Sequence, residues 1–318
     1  MGARARWAVI LAVGAGVALL PSLVTSRYVL SALIFIALNA IAALGLSLVM
    51  GFAGQVSLGQ AAFYAIGAYV SGVLTASHGW NGWAALVVAV AAGALTAFLV
   101  GLPIFRLSGL LLAMATLGFG IIVYYVLVNW SAVTGGPSGL TGIPPLAIGR
   151  LVLDTDARVF RLTWGILLLL LGLTGNLVES RVGRALRAVR GSEPAAEAAG
   201  IDTTGLKLRV FALAGAVTAL AGSLYAHYLT FINPSPFGFA YSIELVVMVV
   251  VGGVSSLWGA VLGAAAVVVL VEALRAAAPL MAVSHGAAEY EIVLFGLFLM
   301  AFMVLAPGGL AGLGRRRT

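Results

Sequence analysis

Residues 83–100 read WAALVVAVAAGALTAFLV, eighteen consecutive positions without a charged side chain. A helix of about 20 apolar residues spans the hydrocarbon core of a bilayer, which is ~30 Å thick. The stretch is therefore typical of a transmembrane helix. Similar runs, rich in Ala, Leu, Val and Gly, recur along the whole chain. Their recurrence predicts an all-α, polytopic helical membrane protein.

The overall composition agrees with this prediction. Of 318 residues, 62% are hydrophobic and 8% are charged, whereas soluble domains have about 45–50% apolar and about 25% charged residues. A soluble fold of this size could not bury so much apolar surface. Because the sequence contains no cysteine, disulfides, thiolate metal sites and cysteine nucleophiles are excluded.

Turn residues and charges divide the apolar runs into about ten predicted transmembrane helices, with eight as the alternative count. Residues 242–274 are too long for one helix and are interrupted by glycine and serine pairs, which predicts two helices with a break between them. The first run begins like a signal peptide, but its apolar part is longer than the ~7–15 residues of such peptides. The predicted spans are Trp7–Val24, Tyr28–Met50, Ala61–Ser77, Trp83–Val100, Gly109–Trp130, Leu162–Val178, Val210–Thr230, Ser242–Gly253, Leu257–Leu274 and Glu291–Leu305.

The basic residues predict the orientation of the loops. If the N-terminus is cytoplasmic, twelve of the 17 Lys and Arg residues face the cytoplasm, as the positive-inside rule requires. Both termini are then cytoplasmic, and Arg315–Arg317 agree with this placement. The net charge of +7 thus indicates cytoplasmic loops rather than binding to nucleic acid, because no stacking aromatic residues accompany the arginines. Long loops are predicted outside at about 131–161 and inside at about 179–207.

The inside loop has the most informative pattern. Arginine recurs there at every third position: Arg181, Arg184, Arg187 and Arg190. On a helix these residues form a basic stripe, and Gly191 is placed to terminate that helix. Ser192 can cap a second helix over residues 193–199, which ends at Gly200. Small side chains then offer a surface for close packing by another protein: Ala185, Ala188, Ala195, Ala196, Ala198 and Ala199. Two interpretations remain open, a basic loop with incidental helicity and a docking element for a cytoplasmic partner.

The single lysine excludes one class of function. Lys207 lies between Leu206 and Leu208, whereas a Walker A motif needs Gly-Lys followed by Ser or Thr. The chain is therefore not itself a P-loop ATPase, and it needs a partner if ATP drives it. No chain of charged residues lies in the middle of the spans, which argues against proton- or ion-coupled transport. Glu272 and Arg275 are expected to pair near a helix end.

Two uncharged, glycine-rich stretches interrupt the spans: MGFAGQVSLGQ at 50–60 and VGGVSSLWG at 251–259. Such stretches favour non-helical backbone that lines a cavity at membrane depth. Five uncharged polar residues are predicted to face a translocation pathway: Asn39, Gln55, Ser57, Gln60 and Thr116. Hydrogen bonding between helices is the alternative for polar residues within the spans, which are Asn39, Ser47, Thr116, Asn129 and His227. The three histidines match no metal-ligand spacing, and His227 is interpreted as an interfacial anchor.

Several motifs in the same order resemble a known family between Asn39 and Leu313. They are GFAGQVSLG at 51–59, LAMATLGFG at 112–120, TGGPSGLTGIP at 134–144, GRALRAVR at 183–190, AAEAAGI at 195–201 and VGGVSSLWGAVLG at 251–263. The chain resembles the permease subunit of branched-chain amino-acid ABC importers of the Liv type, and within it the M-like rather than the H-like subunit. The resemblance implies a bacterial inner-membrane protein whose 318 residues form one transmembrane permease domain.

The resemblance also implies partners and a role for the inside loop. The partners are two ABC ATPase subunits, a second (H-like) permease and a periplasmic or extracellular solute-binding protein, all acting at the lipid bilayer. The chain itself then binds no cofactor, because ATP and Mg are bound by the ATPases. The loop would lie in a groove of an ATPase, and the residues selected for this contact are Arg184, Arg187, Glu193, Ala196, Glu197 and Gly200.

Three points of function stay open at this stage. Relatives of the family carry urea, short amides or aromatic acids, so the solute is either a branched-chain or hydrophobic amino acid or another small polar molecule. A stand-alone channel for a small neutral solute would explain the glycine-rich breaks equally well, but it would not need the inside helices. The external loop either contacts a binding protein or merely caps the helices.

Overall fold

The computed structural model describes residues 3–24, 26–149, 151–277, 296 and 309–313. Most of these residues are helical. The helices are α1 (Ala3–Leu23), α2 (Arg27–Ser47), α3 (Gln60–Ala76), α4 (Gly82–Ile104), α5 (Gly109–Asn129), α6 (Ser131–Thr134), α7 (Asp156–Glu179), α8 (Arg181–Gly191), α9 (Glu193–Ala198), α10 (Thr203–Leu229), α11 (Phe239–Gly252), α12 (Leu257–Ala277) and α13 (Leu310–Leu313). A π-helical turn, Leu48–Phe52, continues α2.

Two short antiparallel pairs of strands, which the sequence did not predict, join parts of the loops. β1 (Leu140–Thr141) pairs with β4 (Phe231–Ile232), and β2 (Ala147–Ile148) pairs with β3 (Leu151–Val152). The first pair ties the loop between α6 and α7 to the segment between α10 and α11. Short 3-10 turns precede β1 at 136–138 and follow β4 at 235–237.

Within the described residues, six helices are long and apolar enough to cross a membrane. They are Arg27–Phe52, Gly82–Ile104, Gly109–Asn129, Asp156–Glu179, Thr203–Leu229 and Leu257–Leu274. Three other predicted spans, in α1, α3 and α11, are helical but do not belong to this set. The predicted span Glu291–Leu305 lies outside the described residues. The helical fold class is thus confirmed, and the count of ten spans stays a prediction.

The centre of the bundle is formed by α2 and α10. In their most apolar 18-residue windows, 78% of the α2 residues and 67% of the α10 residues are buried, against 33% in α4 and 22% in α5. Small residues let the helices approach closely. A Cβ at Gly222 of α10 would collide with the carbonyl of Tyr64 in α3, and one at Gly215 would lie 2.8 Å from the carbonyl of Gly93 in α4. Close contact between small residues is the usual way that helices pack when lipid surrounds them.

The two long loops lie at opposite ends of the bundle. We call the end that carries α8, α9 and residues 53–59 and 253–256 the basic end. The other end, which carries β1–β4, is called the loop end. At the basic end, Arg190 of α8 donates to the carbonyl of Gly51 and to Ser255 Oγ, the latter at 2.6 Å. At the loop end, Ile143 N donates to the carbonyl of Thr230 at 3.2 Å. In these contacts, each long loop therefore meets the helix ends at one end of the bundle only.

Both long loops are shorter than predicted, because polar residues extend the flanking helices. The predicted span Leu162–Val178 begins at Asp156 in the structure, where Arg158 bonds Asp154 at 2.9 Å. The predicted span Val210–Thr230 begins at Thr203, and Asp202 caps it by accepting from Gly205 N at 2.9 Å. The predicted spans are bounded by hydropathy, which leaves out polar turns. A helix can nevertheless include such turns when a side chain caps its end.

His227 is not an interfacial anchor. Its side chain is buried between α3 and α10, with 3% exposure. Nε2 lies 2.8 Å from Ser71 Oγ and Nδ1 lies 2.7 Å from the carbonyl of Pro144. Since a carbonyl only accepts, Nδ1 carries the proton and Nε2 accepts from the Ser71 hydroxyl. Ser223 in turn donates to Ser71 at 2.8 Å. This network fastens the loop between α6 and α7 to the bundle.

Candidate functional site

The inside loop forms the predicted pair of helices, and the predicted serine cap is present. Ser192 Oγ accepts from Ala195 N at 3.4 Å at the start of α9, and Ser180 Oγ accepts from Val182 N at 3.1 Å at the start of α8. Gly200, with φ +81°, follows α9 as predicted. Gly191 does not have the predicted terminating role outside the helix. It is the last residue of α8, and the extended backbone of Ser192 makes the turn instead.

Two of the residues selected for partner contact also hold α8 against the helix before it. Arg184 Nη1 donates to the carbonyl of Glu179 at 3.2 Å, and Arg187 Nη1 donates to the carbonyl of Val178 at 2.9 Å. These carbonyls belong to the last turn of α7, where the helix leaves acceptors without an intrahelical donor. A positive charge at that point also suits the helix dipole. Both arginines remain exposed.

Two other selected residues attach α9 to the first turns of α10. Glu193 forms an ion pair with Lys207, whose side chain is 4% exposed. The Thr203 hydroxyl donates to Glu197 at 2.6 Å. The Lys207 ammonium also lies 5.9 Å from the centre of the Phe105 ring. The carboxylate of Glu193 thus compensates a buried lysine, which is costly to leave unpaired.

The outer surface of α8 and α9 carries small and basic residues, and Val182, Pro194 and Glu197 are exposed there as well. Exposed alanines on this surface are Ala188, Ala195, Ala198 and Ala199. Ala196, which the sequence placed on the partner surface, is 3% exposed and faces the interior of the chain. Ala196 therefore does not belong to the exposed surface on which the sequence placed it, and its role in coupling to a partner stays a prediction. The exposed face leaves room for a closely packed partner, and the docking role stays a prediction.

The two glycine-rich stretches are breaks in the helices, and they lie side by side. Break 1 runs from the π-helical turn to the start of α3 (residues 48–59), and break 2 joins α11 to α12 (residues 253–256). Each contains a left-handed glycine, Gly54 with φ +71° and Gly253 with φ +112°, a backbone conformation that L side chains adopt at a cost. A Cβ at Gly51 would collide with the carbonyl of Val254. The chain therefore brings both breaks to one place at the basic end.

Three of the five predicted pathway residues have partners within the chain. Thr116 Oγ1 accepts from Leu58 N at 3.0 Å, which ties α5 to break 1. Asn39 Oδ1 accepts from the Tyr241 hydroxyl at 2.8 Å, and Gln55 Nε2 donates to the carbonyl of Ala53 at 3.3 Å. Asn39 and His227 therefore form hydrogen bonds between helices, which is the alternative to a pathway role for polar residues in the spans. Thr116 accepts from break 1 and also donates to the carbonyl of Ala113 in its own helix at 2.9 Å. Ser47 and Asn129 bond only carbonyls of their own helices among the described residues.

Ser57 and Gln60 differ from these three. Ser57 is 1% exposed and Gln60 is 0% exposed. Ser57 Oγ and both amide atoms of Gln60 have no hydrogen-bond partner among the described residues. Buried polar atoms are nearly always paired, and leaving one unpaired costs about 1–3 kcal/mol. Of the five such atoms among the described residues, these three cluster at the junction of break 1 and α3, whereas Tyr69 Oη and Thr218 Oγ1 lie elsewhere in the bundle.

A narrow groove lies beside this junction. It is lined by Leu58 and Ala61 of the junction, by Leu117, Gly120 and Ile121 of α5, and by Phe237, Gly238, Phe239 and Ser242. Its empty space, including the open side, is about 170 Å³, below the ≈ 300–1,000 Å³ of most ligand pockets. Ser242 Oγ accepts from Ala61 N at 3.1 Å across it. The groove is closed to a solute of amino-acid size in this conformation.

Sequence reasoning missed the residues that connect these features. Arg190 was recognised only as part of the basic stripe, and its bonds to Gly51 and Ser255 join residues 139 and 65 positions apart. Lys207 was used only to exclude an ATP site, although it anchors α9. No local pattern marks either contact. The one available signal was the position of Arg190 at the end of the predicted helix, next to the turn.

Comparison with known proteins identifies a matching family. The family model described as branched-chain amino acid transport system / permease component matches residues 28–305. The chain is 32% identical to the high-affinity branched-chain amino acid transport system permease protein LivM of Salmonella typhimurium, over 86% of this chain and 67% of that protein. LivM of Escherichia coli K12 gives the same values. LivH of Salmonella typhimurium is 26% identical over 86% of this chain and 91% of that protein. No solved structure matches the chain significantly.

Proposed function

This chain belongs to the family of permease components of branched-chain amino acid transport systems, and we propose that it is the membrane-spanning translocation subunit of an ATP-driven importer. In this proposal the chain works by alternating access in the bacterial inner membrane with both termini in the cytoplasm. It pairs with a second, H-like permease and receives its solute from a binding protein outside. Two ABC ATPases bind ATP and Mg, and the chain itself carries out no catalysis and binds no cofactor.

The observation that carries the proposal is the α8–α9 element. It stands at the basic end of the apolar bundle, exposes small alanines and arginines, and is fastened to α7, to α10 and to both breaks. Its exposed face can contact a partner, and its bonds to α7, α10 and the breaks can transmit the partner's conformational change to the helices. Because the chain lacks a Walker A motif, that partner supplies the ATP hydrolysis.

The proposed pathway runs beside break 1. Ser57 and Gln60 provide a hydroxyl and an amide that have no partner among the described residues, and discontinuous helices with polar groups are typical of transporter binding regions. In the proposed cycle a passing solute or water hydrogen-bonds these groups when the closed groove opens. In the same proposal, Asn39, Gln55 and Thr116 also face the pathway, and Thr116 holds the backbone of break 1 through Leu58 N.

Branched-chain or other hydrophobic amino acids are the proposed solutes. The relatives LivM and LivH are named as branched-chain amino acid permeases, and the residues that line the groove beside break 1 include Leu58, Ile121 and Phe239. Urea, short amides and aromatic acids are the alternative solutes, since neutral donors and acceptors such as Gln60 serve them as well. The binding protein of the same importer decides among them.

Reconstitution tests the proposal directly. The tagged chain is purified in mild detergent with its co-purifying proteins, and the assembly is placed in liposomes with ATP inside or absent. We expect a second permease and an ATPase in the preparation, and ATP-dependent uptake of leucine, isoleucine or valine when the loaded binding protein is added. The Glu197→Arg and Gly200→Trp variants are expected to lower solute-stimulated ATP hydrolysis. The variant Gly149→Trp, at an open position of the external loop, is the matched control.

The channel hypothesis makes the opposite prediction. A facilitator conducts its solute without ATP and without partners, so the chain alone in liposomes would accelerate solute entry. Uptake by the chain alone, or unchanged coupling in both α9 variants, would count against the importer proposal. Uptake of urea, acetamide or benzoate in place of amino acids would keep the importer and change the solute.

A further inference from the structure

One side chain joins the α8–α9 element to both breaks. Arg190, in the last turn of α8, donates through Nη1 to the carbonyl of Gly51 in break 1. The same nitrogen donates to Ser255 Oγ in break 2 at 2.6 Å. Guanidinium groups are suited to such bridging, because several donors lie in one rigid plane and the charge is always present.

The packing around Arg190 leaves little freedom for independent movement. A Cβ at Gly54 would lie 3.0 Å from Arg190 Cγ and 3.4 Å from Arg190 Cα, so the left-handed turn of break 1 rests on α8 itself. The backbone of Gly51 rests on the carbonyl of Val254 in the same way. The end of α8, break 1 and break 2 therefore meet at one point, and a shift of α8 changes the contacts of both breaks.

The other arginines of the stripe do not make this connection. Arg184 and Arg187 bond the carbonyls of Glu179 and Val178, which immediately precede α8 in the chain. Their contacts fix the angle between α7 and α8 and do not reach the breaks. Among the described residues of α8 and α9, Arg190 is the one whose side chain bonds both break 1 and break 2.

We propose that Arg190 is a positioning residue that transmits movement of the α8–α9 element to the two breaks, and so opens or closes the solute pathway beside break 1. This inference rests on the proposed importer function and names the link on which its coupling depends. Arg190 does not contact the solute. It acts through the carbonyl of Gly51 and through Ser255, which belong to the two segments where the helices are discontinuous.

The test measures the number of solute molecules transported per ATP hydrolysed. The complete importer is reconstituted with wild-type chain or with one of four variants: Arg190→Gln, Arg190→Lys, Ser255→Ala and Arg181→Gln. Arg181 is exposed in the first turn of α8 and is the matched control. We expect Arg190→Gln to keep ATP hydrolysis but to lower transport per ATP by at least about tenfold, because the variant loses the charge-assisted hydrogen bonds to Gly51 and Ser255. Arg190→Lys recovers part of the loss, because it keeps the charge but not the fork of donors.

Each outcome decides between the inference and the function on which it rests. If the wild-type assembly shows no ATP-dependent uptake, the importer function fails and the inference falls with it. If the wild type transports and Arg190→Gln matches Arg181→Gln in transport per ATP, the inference alone is wrong. If Arg190→Gln does not assemble, Ser255→Ala decides, because it removes a single bond: a lowered ratio supports the inference, and an unchanged ratio overturns it.

Discussion

At the residue scale, two buried serines of this chain have contrasting surroundings. Ser71 is 0% exposed and is hydrogen-bonded to His227 and Ser223. Ser57 is 1% exposed and has no hydrogen-bond partner among the described residues. Burial alone would class both as structural. Their hydrogen bonding separates a serine that belongs to the network at the loop end from one that has no partner in the part of the chain that the structure describes.

This contrast gives a prediction for the pathway. The chain has no cysteine, so Ser57→Cys and Ser71→Cys each introduce a single thiol of similar size. In the assembled importer we expect a small thiol reagent to modify Ser57→Cys in at least one state of the ATP cycle, because water or solute reaches that position when the groove opens. Ser71→Cys is expected to stay protected in every state. The pathway assignment is wrong if both thiols are equally protected with and without ATP.

At the scale of the elements, glycine positions determine how closely the helices pack. Gly222 of α10 lies against the backbone of α3, where a Cβ would collide with the carbonyl of Tyr64. Gly165 of α7 is exposed and has nothing within 4 Å of an added Cβ. Both residues lie in helices of the same apolar bundle. Helix propensity is therefore the same for the two sites, and only the packing differs.

Matched alanine variants test this packing. Gly222→Ala is expected to lower the free energy of unfolding by about 1–3 kcal/mol, because it forces α3 and α10 apart. Gly165→Ala is expected to be neutral or to stabilise by about 0.5–1 kcal/mol, since alanine is the better helix former. The measurement is the midpoint of thermal unfolding of the purified chain in detergent. Equal midpoints for the two variants would contradict the close α3–α10 contact.

At the scale of the whole molecule, the contacts place the inside and outside loops at opposite ends of the bundle. Residues at the loop end with exposed side chains are Ile148 (56%) and Trp80 (47%), and at the basic end Leu107 is 37% exposed. Ala198 of α9 is exposed as well. If each helix between these positions crosses the membrane, the four residues divide into two pairs on opposite sides.

Single-cysteine variants at these four positions test the division. A membrane-impermeant maleimide applied to vesicles of known orientation is expected to label Ile148→Cys and Trp80→Cys from the outside. Ala198→Cys and Leu107→Cys are expected to react only from the cytoplasmic side, which holds the larger share of arginine. Trp80 is the critical position, because it follows the 17-residue helix α3. Labelling of Trp80→Cys together with Ala198→Cys would show that α3 does not cross the membrane.

The amino-acid sequence by itself determined the features that depend on neighbouring residues. The length of each apolar run predicted the long helices, and the serine at 192 and the glycine at 200 predicted the limits of α9. The glycine-rich stretches predicted both breaks. Each of these features is local, because burial of an apolar helix, the capping of a helix end and the freedom of a glycine backbone involve a few consecutive residues.

Only the tertiary structure decided which of those features meet. Arg190 reaches Gly51 across 139 positions, His227 reaches Ser71 across 156, and Glu193 compensates Lys207 on another helix. Within the described residues, the same structure leaves Ser57 Oγ and the Gln60 amide without hydrogen-bond partners and turns Ala196 inward. No periodicity encodes these pairings, because they depend on the close approach of helices at small residues distant in sequence. A side chain's hydrogen-bond partner is known only when the helices that carry both groups have been packed.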